Sequence, residues 1–270
     1  MALYFIGLGL YDEKDVTIRG LETIKSCKTV YLEHYTSVLH TSIENLEKFY
    51  GKKIIIADRD MVEKNADMII DDAKAHDVGF LVAGDPMCAT THVDLMLRAR
   101  EKGIKVTIIH NASAISAVGA TGLEVYKFGK VTSITFSESG FMPQTCYDVL
   151  KQNQQNNFHT LMLLDIKVKE QKKDDMIKGK NEYQKPRFMT VNQGIQYLFD
   201  IEKKRKEKVF DENTIVVGCA RLGALDQKII SGTAKKLLTV DFGSELHLLI
   251  VPAKNLHFIE EEALDIWKLK

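Results

Sequence analysis

Short apolar runs alternate with amphipathic stretches along the first 112 residues of the chain. Apolar runs of strand length begin near residues 3, 29, 53, 78 and 106, and most of the segments between them have helical periodicity. This alternation favours a parallel, helix-covered sheet, because each parallel strand needs a crossover connection to the next. The sequence therefore predicts an α/β fold with an N-terminal domain over residues 1–115.

The pattern changes after Gly122. Strands are predicted near residues 131, 160, 214, 227 and 246, with fewer crossover helices between them, so antiparallel pairs and a mixed sheet are expected over residues 116–270. Within this domain, residues 167–187 hold eight basic and four acidic residues and few large apolar ones, which predicts a long exposed loop. This basic loop is either a solvated surface or a lip that meets an acidic partner.

The overall composition excludes several classes of protein. Lys plus Arg equals Asp plus Glu at 37 each, so the chain has no overall positive charge to attract nucleic acid. Balanced totals do not exclude a local basic patch. No apolar run approaches the roughly 20 residues of a membrane span. Four widely spaced cysteines without a CxxC pair suggest neither a zinc site nor a disulfide framework. We expect a cytoplasmic protein without a metal.

Three predicted strands end in turns that suit a ligand site. These turns are Gly7–Leu10, Gly84–Pro86 and residues 110–113, the last reading His-Asn-Ala-Ser. Gly84 permits backbone conformations that a side chain forbids, and Pro86 restricts the residue before it to extended geometry. Ligands of open α/β sheets bind at this carboxyl edge of the strands. The alternative is a plain strand-to-helix turn with a capping aspartate, and the first turn lacks the third glycine of a dinucleotide fingerprint.

Taken together, these turns resemble those of the tetrapyrrole-methylase superfamily of S-adenosylmethionine-dependent methyltransferases, and most closely its diphthine synthase branch. The likeness covers nearly the whole chain, and the order and spacing of the motifs make it specific. Further motifs that carry it are Tyr31–Glu33, Tyr35–Leu39, Ala89–His92, Tyr126–Gly129, Leu163–Gln171, Ala220–Arg221 and Asp226–Lys228.

The resemblance implies two α/β domains, the first with a mainly parallel sheet and the second with a mixed sheet, and a cleft between them for the methyl donor. It also implies a homodimer, the donor S-adenosylmethionine and the product S-adenosylhomocysteine. The donor-binding residues that it implies are Leu10, Asp85, Cys88, Ser113, Ala114, Leu164, Leu222 and His247.

The chain departs from the family pattern at a few of these positions. Cys88 stands where a glycine is often found, and Ala114 stands where isoleucine is common. Backbone contacts to the donor would tolerate both changes. Leu10 lies where the tetrapyrrole-methylating branches have a proline, which argues against a corrin or porphyrin substrate.

The function that the resemblance implies is methylation of the modified histidine of translation elongation factor 2, in diphthamide biosynthesis. Members from eukaryotes are expected to esterify the carboxylate of that side chain as well. No catalytic base is assigned; we interpret His247 as a buried donor contact, and His92 and His110 as structural. The alternatives are a tetrapyrrole methyltransferase of the same fold and a non-catalytic module that binds the factor through the lysine-rich loop. Neither nucleic acid nor a membrane is an expected partner.

Overall fold

The structure is a computed structural model that describes residues 1–138, 140–168 and 184–270. Contacts between Cα atoms divide the chain into two compact units. The first unit holds Met1–Ala114, and the second holds Ile115–Lys167 together with Lys185–Lys270. Each unit contains one five-stranded sheet.

The sheet of the first unit is parallel throughout, as predicted. Its strand order is β3-β2-β4-β1-β5, so the central strands β1 and β4 are neighbours although they are far apart in the chain. The strands are β1 Ala2–Gly7, β2 Thr29–Glu33, β3 Ile55–Ala57, β4 Val78–Val82 and β5 Lys105–Ile109. The carboxyl ends of all five strands therefore share one edge.

Helices cover both faces of this sheet. They are α1 Ile18–Ser26, α2 Ile43–Tyr50, α3 Asp67–Ala75 and α4 Val93–Glu101. Leu3 and Phe5 pack in one core cluster with α3 and α4, whereas Ile6 and Leu8 pack in another with α1 and α2. Successive strand residues point to opposite faces, so a strand covered on both sides is apolar at nearly every position.

Two helices of this unit differ from what their sequence pattern predicts. The apolar periodicity from residue 61 to residue 75 predicts one helix, but a π-helical turn, Asp60–Lys64, precedes α3 and interrupts it. The sequence predicts Val93, Met96 and Leu97 together on one side of α4, but the helix buries Leu95 and Ala99, whereas Val93 and Leu97 are about half exposed. Apolar residues surround this helix, so their spacing alone does not define the buried face.

The second unit contains the expected mixed sheet, in the order β11-β10-β12-β7-β6. Its neighbours are antiparallel except for β6 and β7, which run parallel. The strands are β6 Thr132–Ile134, β7 Thr160–Leu164, β10 Ile215–Ala220, β11 Lys228–Thr233 and β12 His247–Val251. The helices from the boundary onward are α5 Ala114–Ala117, α6 Thr145–Gln155, α7 Val191–Arg205, α8 Ala234–Leu237 and α9 Phe258–Ile266.

The basic segment predicted as a loop at 167–187 begins and ends in paired strands. Strand β8, Ile166–Lys167, forms an antiparallel ladder with β9, Arg187–Phe188. Residues 169–183, which carry most of the predicted loop, lie outside the residues that the structure describes.

A buried carboxylate ties helix α9 to the rest of the second unit. Glu260 Oε1 accepts hydrogen bonds from His159 Nε2 at 2.7 Å and from the Glu124 backbone N–H at 3.1 Å. Its Oε2 accepts from Lys127 Nζ at 2.6 Å and from the His257 N–H at 2.9 Å. Burial raises the pKa of Glu260, but these donors outweigh burial and hold the pKa at about 2.

Candidate functional site

The glycine-bearing turns after β1 and β4 bond directly to each other. The Gly84 N–H donates to the Gly9 carbonyl at 2.7 Å, and the Gly9 N–H donates back at 3.3 Å. Gly7 lies under this crossing, where a Cβ would come within 2.6 Å of the Gly84 carbonyl oxygen. Gly84 itself has φ +78°, a conformation that side chains disfavour. The local sequence therefore fixes both turns.

Asp85 joins the second turn to the third. Its Oδ1 accepts from the Met87 N–H at 2.9 Å, and its Oδ2 accepts from His110 Nδ1 at 2.8 Å and the Asn111 N–H at 3.2 Å. A carboxylate at such a turn is predicted to face outward, but that of Asp85 is buried, because the end of β5 supplies donors for it. Burial raises the pKa of Asp85, yet these hydrogen bonds lower it more, so the pKa lies below its usual range and the group stays ionised.

Asn111 and Asp15 fasten the first turn, and neither of these roles was predicted. Asn111 Nδ2 donates to the carbonyls of Gly7 and Asp15, both at 3.0 Å. Asp15 Oδ2 accepts from the backbone N–H of Leu10 at 3.1 Å and of Tyr11 at 2.8 Å. From the sequence, Asn111 is predicted only as a cap of the following helix, since its partners lie about 100 residues away in sequence.

Cys88, Ser113 and Ala114 complete the predicted residues of the first unit. The exposed Cys88 thiol interacts with the side chains of Ser113 and Asp85. Partial burial and the Asp85 carboxylate raise the pKa of this thiol, so it is not an activated nucleophile. Ser113 is buried, and Ala114 begins α5 directly after it. All five predicted residues of this unit, Leu10 among them, thus lie on three bonded turns at one sheet edge.

Two histidines near this edge differ sharply in their surroundings. His92 is fully buried, and its ring lies edge-on to Phe80 with centroids 5.2 Å apart. The His110 side chain is 68% exposed and bonds to Asp85 through Nδ1. His110 was interpreted as structural, and its bond to Asp85 fits that role while leaving most of the ring exposed.

Leu164, Leu222 and His247, the predicted donor contacts of the second unit, also share one sheet edge. Leu164 ends β7, and His247 begins the adjacent antiparallel strand β12. His247 pairs with Ala220, the last residue of β10, and Leu222 follows two residues later. Leu164 and Leu222 are both buried. Because these two side chains are buried, we expect any contact of Leu164 or Leu222 with a ligand to come from their backbone groups.

Both ring nitrogens of His247 form hydrogen bonds within the protein. Its Nδ1 accepts from the Val191 N–H at 3.2 Å, and its Nε2 lies 2.8 Å from the Ser244 carbonyl, to which it donates. Burial lowers the pKa of His247, so the ring is neutral at neutral pH. Both ring nitrogens are occupied, and His247 is therefore no general base.

Arg221 joins the segment after β10 to the segment before β12. On the sequence alone it is only part of a motif, and no role is predicted for it. Its Nη1 donates to the carbonyls of Phe242 at 2.9 Å and Ser244 at 2.6 Å, while Nε donates to Asp226 Oδ2 at 2.7 Å. The Ser244 carbonyl thereby receives hydrogen bonds from both Arg221 and His247. The buried arginine fixes the segment that leads into β12.

Within the ranges 1–138, 140–168 and 184–270, no group of three or more His, Cys, Asp or Glu side chains is placed to hold a metal ion. A search of the same ranges finds no helix with the length and apolar character that a membrane crossing requires.

Comparison with known proteins places this geometry in a family. The family model described as Tetrapyrrole (Corrin/Porphyrin) Methylases matches residues 2–238. The diphthine methyl ester synthase of Dictyostelium discoideum is 53% identical, with 100% of this chain and 99% of that protein covered. The Homo sapiens diphthine methyl ester synthase is 50% identical, at 99% and 95% coverage.

A solved structure agrees with these relatives. A crystal structure of diphthine synthase superposes with a TM-score of 0.85 at 36% identity, covering 99% of this chain and 96% of the other. The chain belongs to the tetrapyrrole methylase family, within it to the diphthine methyl ester synthases, and is a methyltransferase.

Proposed function

We propose that the protein uses S-adenosylmethionine to methylate the modified histidine of translation elongation factor 2, and that it also forms the methyl ester of that side chain. The observation that carries the proposal is the bonded set of turns around Asp85, in a chain that matches diphthine methyl ester synthases from end to end. The proposal divides the chain into domains at residues 1–115 and 116–270.

The residues proposed for the donor suit its chemistry. S-adenosylmethionine carries a sulfonium and an ammonium cation, and an ionised carboxylate such as Asp85 favours nearby positive charge. Gly84 packs against the third turn, since a Cβ placed there would lie 3.8 Å from Ser113 Cα, in ordinary van der Waals contact. The proposed donor contacts are Leu10, Asp85, Cys88, Ser113, Ala114, Leu164, Leu222 and His247.

When bound, the donor supplies a methyl carbon that is already electrophilic, and the product left behind is S-adenosylhomocysteine. The protein must then align the substrate nitrogen or oxygen with that carbon and exclude water. Leu10 has its N–H bonded to Asp15, so its carbonyl and side chain remain for the donor. The amine must lose a proton before each transfer, whereas the carboxylate is nucleophilic as it stands.

Mass spectrometry of elongation factor 2 tests the proposal. The factor carrying the unmethylated aminocarboxypropyl arm is incubated with the protein and S-adenosylmethionine. We expect stepwise addition of methyl groups to the modified histidine, together with calorimetric binding of S-adenosylhomocysteine at a Kd on the order of 1 μM, equivalent to about −8 kcal/mol.

The rival functions predict different results in the same assay. Transfer of labelled methyl to a porphyrinogen, with none to the factor, would replace the proposal by a tetrapyrrole methyltransferase. Salt-sensitive binding of the factor without any methyl transfer would instead support a non-catalytic binding module.

We also propose that the enzyme is a cytoplasmic homodimer. Supporting this, the second unit exposes the apolar side chains of Val125, Tyr126, Phe258 and Ile259, and Tyr126 is 85% exposed. The bonds of Glu260 to Glu124 and Lys127 join the two segments that carry these side chains. Light scattering should give the mass of two chains, and Phe258→Ser should lower it; a monomeric mass for the wild type would contradict the proposal.

A further inference from the structure

We infer that His110 is a catalytic residue that removes the proton from the substrate amine before each N-methylation. The inference rests on the proposed function and adds to it the group that was missing, the base. It is carried by the pairing of an exposed imidazole with a buried carboxylate at the edge that holds the proposed donor contacts.

The hydrogen bond to Asp85 determines which nitrogen of His110 is basic. Asp85 is ionised, so its Oδ2 is purely an acceptor, and His110 Nδ1, 2.8 Å away, must be the donor. In the neutral ring the lone pair then resides on Nε2. The ring is largely exposed while the Asp85 side chain is 6% exposed, so Nε2 is accessible and the supporting carboxylate is shielded. This is the arrangement in which a carboxylate orients an imidazole base and stabilises the imidazolium that forms.

Other histidines with described ring contacts lack this combination. His247 has both ring nitrogens bonded to the backbone. His159 likewise accepts from the Ala253 N–H at Nδ1 and donates from Nε2 to Glu260. His92 is fully buried, so a protein side chain has no access to it.

The position of His110 links it to the proposed donor site. It follows β5 directly, and Ser113 and Ala114 lie three and four residues beyond it. The charged group that contacts the His110 ring is the Asp85 carboxylate, and the Cys88 thiol interacts with the same carboxylate.

The proton transfer balances without another reactant. The substrate ammonium gives one proton to His110 Nε2; its N–H bond breaks, the Nε2–H bond forms, and the electron pair stays on the substrate nitrogen. That pair forms the new N–CH₃ bond as the S–CH₃ bond of the donor breaks, and the electron pair of the broken bond stays on the sulfur. The imidazolium then returns its proton to water, and the ring is ready for the next methyl group.

The inference separates the two kinds of methyl transfer. Each N-methylation requires a base, because the amine is protonated near neutral pH. Ester formation requires none, because the carboxylate is already ionised. A change at His110 should therefore slow transfer to nitrogen and spare transfer to oxygen.

His110→Asn is the test variant, since the asparagine amide can still donate to Asp85 whereas the base at Nε2 is lost. At pH 7 we expect N-methylation of the elongation factor to fall about 100-fold, the lower end of the range for general base catalysis. The deficit should shrink as the pH rises through the pKa of the substrate amine. Ester formation on the trimethylated factor, and calorimetric binding of S-adenosylhomocysteine, should stay within about twofold; His257→Asn, at an exposed histidine, is the control.

Several outcomes would overturn the assignment. An equal loss of nitrogen and oxygen methylation, or a deficit that does not change with pH, would make His110 a positioning residue for Asp85. Nitrogen NMR that finds the hydrogen on Nε2 in the neutral ring would remove the base, whatever the activity. A wild-type protein that binds donor but methylates neither form of the factor would overturn the proposed function and this inference together.

Discussion

Asp85→Asn should weaken binding of S-adenosylhomocysteine at least 100-fold, about 2.7 kcal/mol, in a protein that still folds. Asparagine matches aspartate in shape but replaces one oxygen by an NH₂ donor. Both carboxylate oxygens of Asp85 face N–H groups: Met87 on one side, His110 and Asn111 on the other. Either orientation of the amide therefore sets donor against donor.

The size of the effect follows from burial and charge. Leaving a buried donor unsatisfied costs about 1–3 kcal/mol, and bonds to an ionised acceptor are the stronger ones. The turn would move to relieve the conflict, and the negative charge beside the donor would be lost as well. Calorimetry with S-adenosylhomocysteine measures the change in Kd.

Asp94→Asn provides the matched control, because Asp94 lies on α4, its side chain is 58% exposed and it forms a surface ion pair with Arg98. Circular dichroism checks that both variants are folded. Binding by Asp85→Asn at wild-type affinity would remove Asp85 from the site and leave the bonded turns with a purely structural role.

Glu260→Gln should lower the free energy of unfolding by about 3–5 kcal/mol, the range found when a buried charge loses its partner. The reason is again a donor that replaces an acceptor: both Glu260 oxygens accept from two N–H groups each. The variant also leaves the Lys127 ammonium, which is 17% exposed, without its carboxylate. Urea unfolding measures the loss.

Glu261→Gln is the control, since the neighbouring carboxylate is exposed on the same turn of α9. We expect a change below about 0.5 kcal/mol for it, as is usual for surface positions. Equal stability of the two variants would mean that the buried network contributes little to the fold.

The same network predicts how stability depends on pH. The pKa of Glu260 is about 2 in the fold against 4.5 for the unperturbed group, so the unfolded chain binds the proton more readily. The contribution, about 3 kcal/mol, is present in full above pH 4.5 and is lost as the pH falls towards 2. Burial lowers the pKa of His159, which adds a loss that begins below pH 6.5. Glu260→Gln should flatten the acid limb of this profile.

Patterns within one element were predictable from the sequence, whereas bonds between distant turns were not. The parallel sheet followed from apolar runs separated by helices, and the Gly84–Pro86 turn followed from residues with restricted or special backbone geometry. The partners of Asp85 Oδ2 stand 25 and 26 residues away, so the local sequence does not indicate that the carboxylate turns inward. The exposure of His110 depends on the same tertiary bond.

The second unit shows a related limit. Glu260 belongs to an acidic run at the start of a helix, where carboxylates are common because they suit the helix dipole. Only the fold distinguishes Glu260, which is buried with Lys127 and His159, from Glu261, which is solvated. Sequence patterns predict the helix, but they do not predict which of several neighbouring carboxylates will be buried.

The ladder between β8 and β9 has a consequence for insertions into the chain between them. Its pairing of Lys167 with Arg187 brings the two ends of the intervening chain side by side. The entropy of closing a flexible loop grows only with the logarithm of its length, so doubling the insert costs about 0.6 kcal/mol. Residues inserted between Lys167 and Arg187 should therefore add little to the entropic cost of closing the ladder, which urea unfolding of an insertion variant would measure.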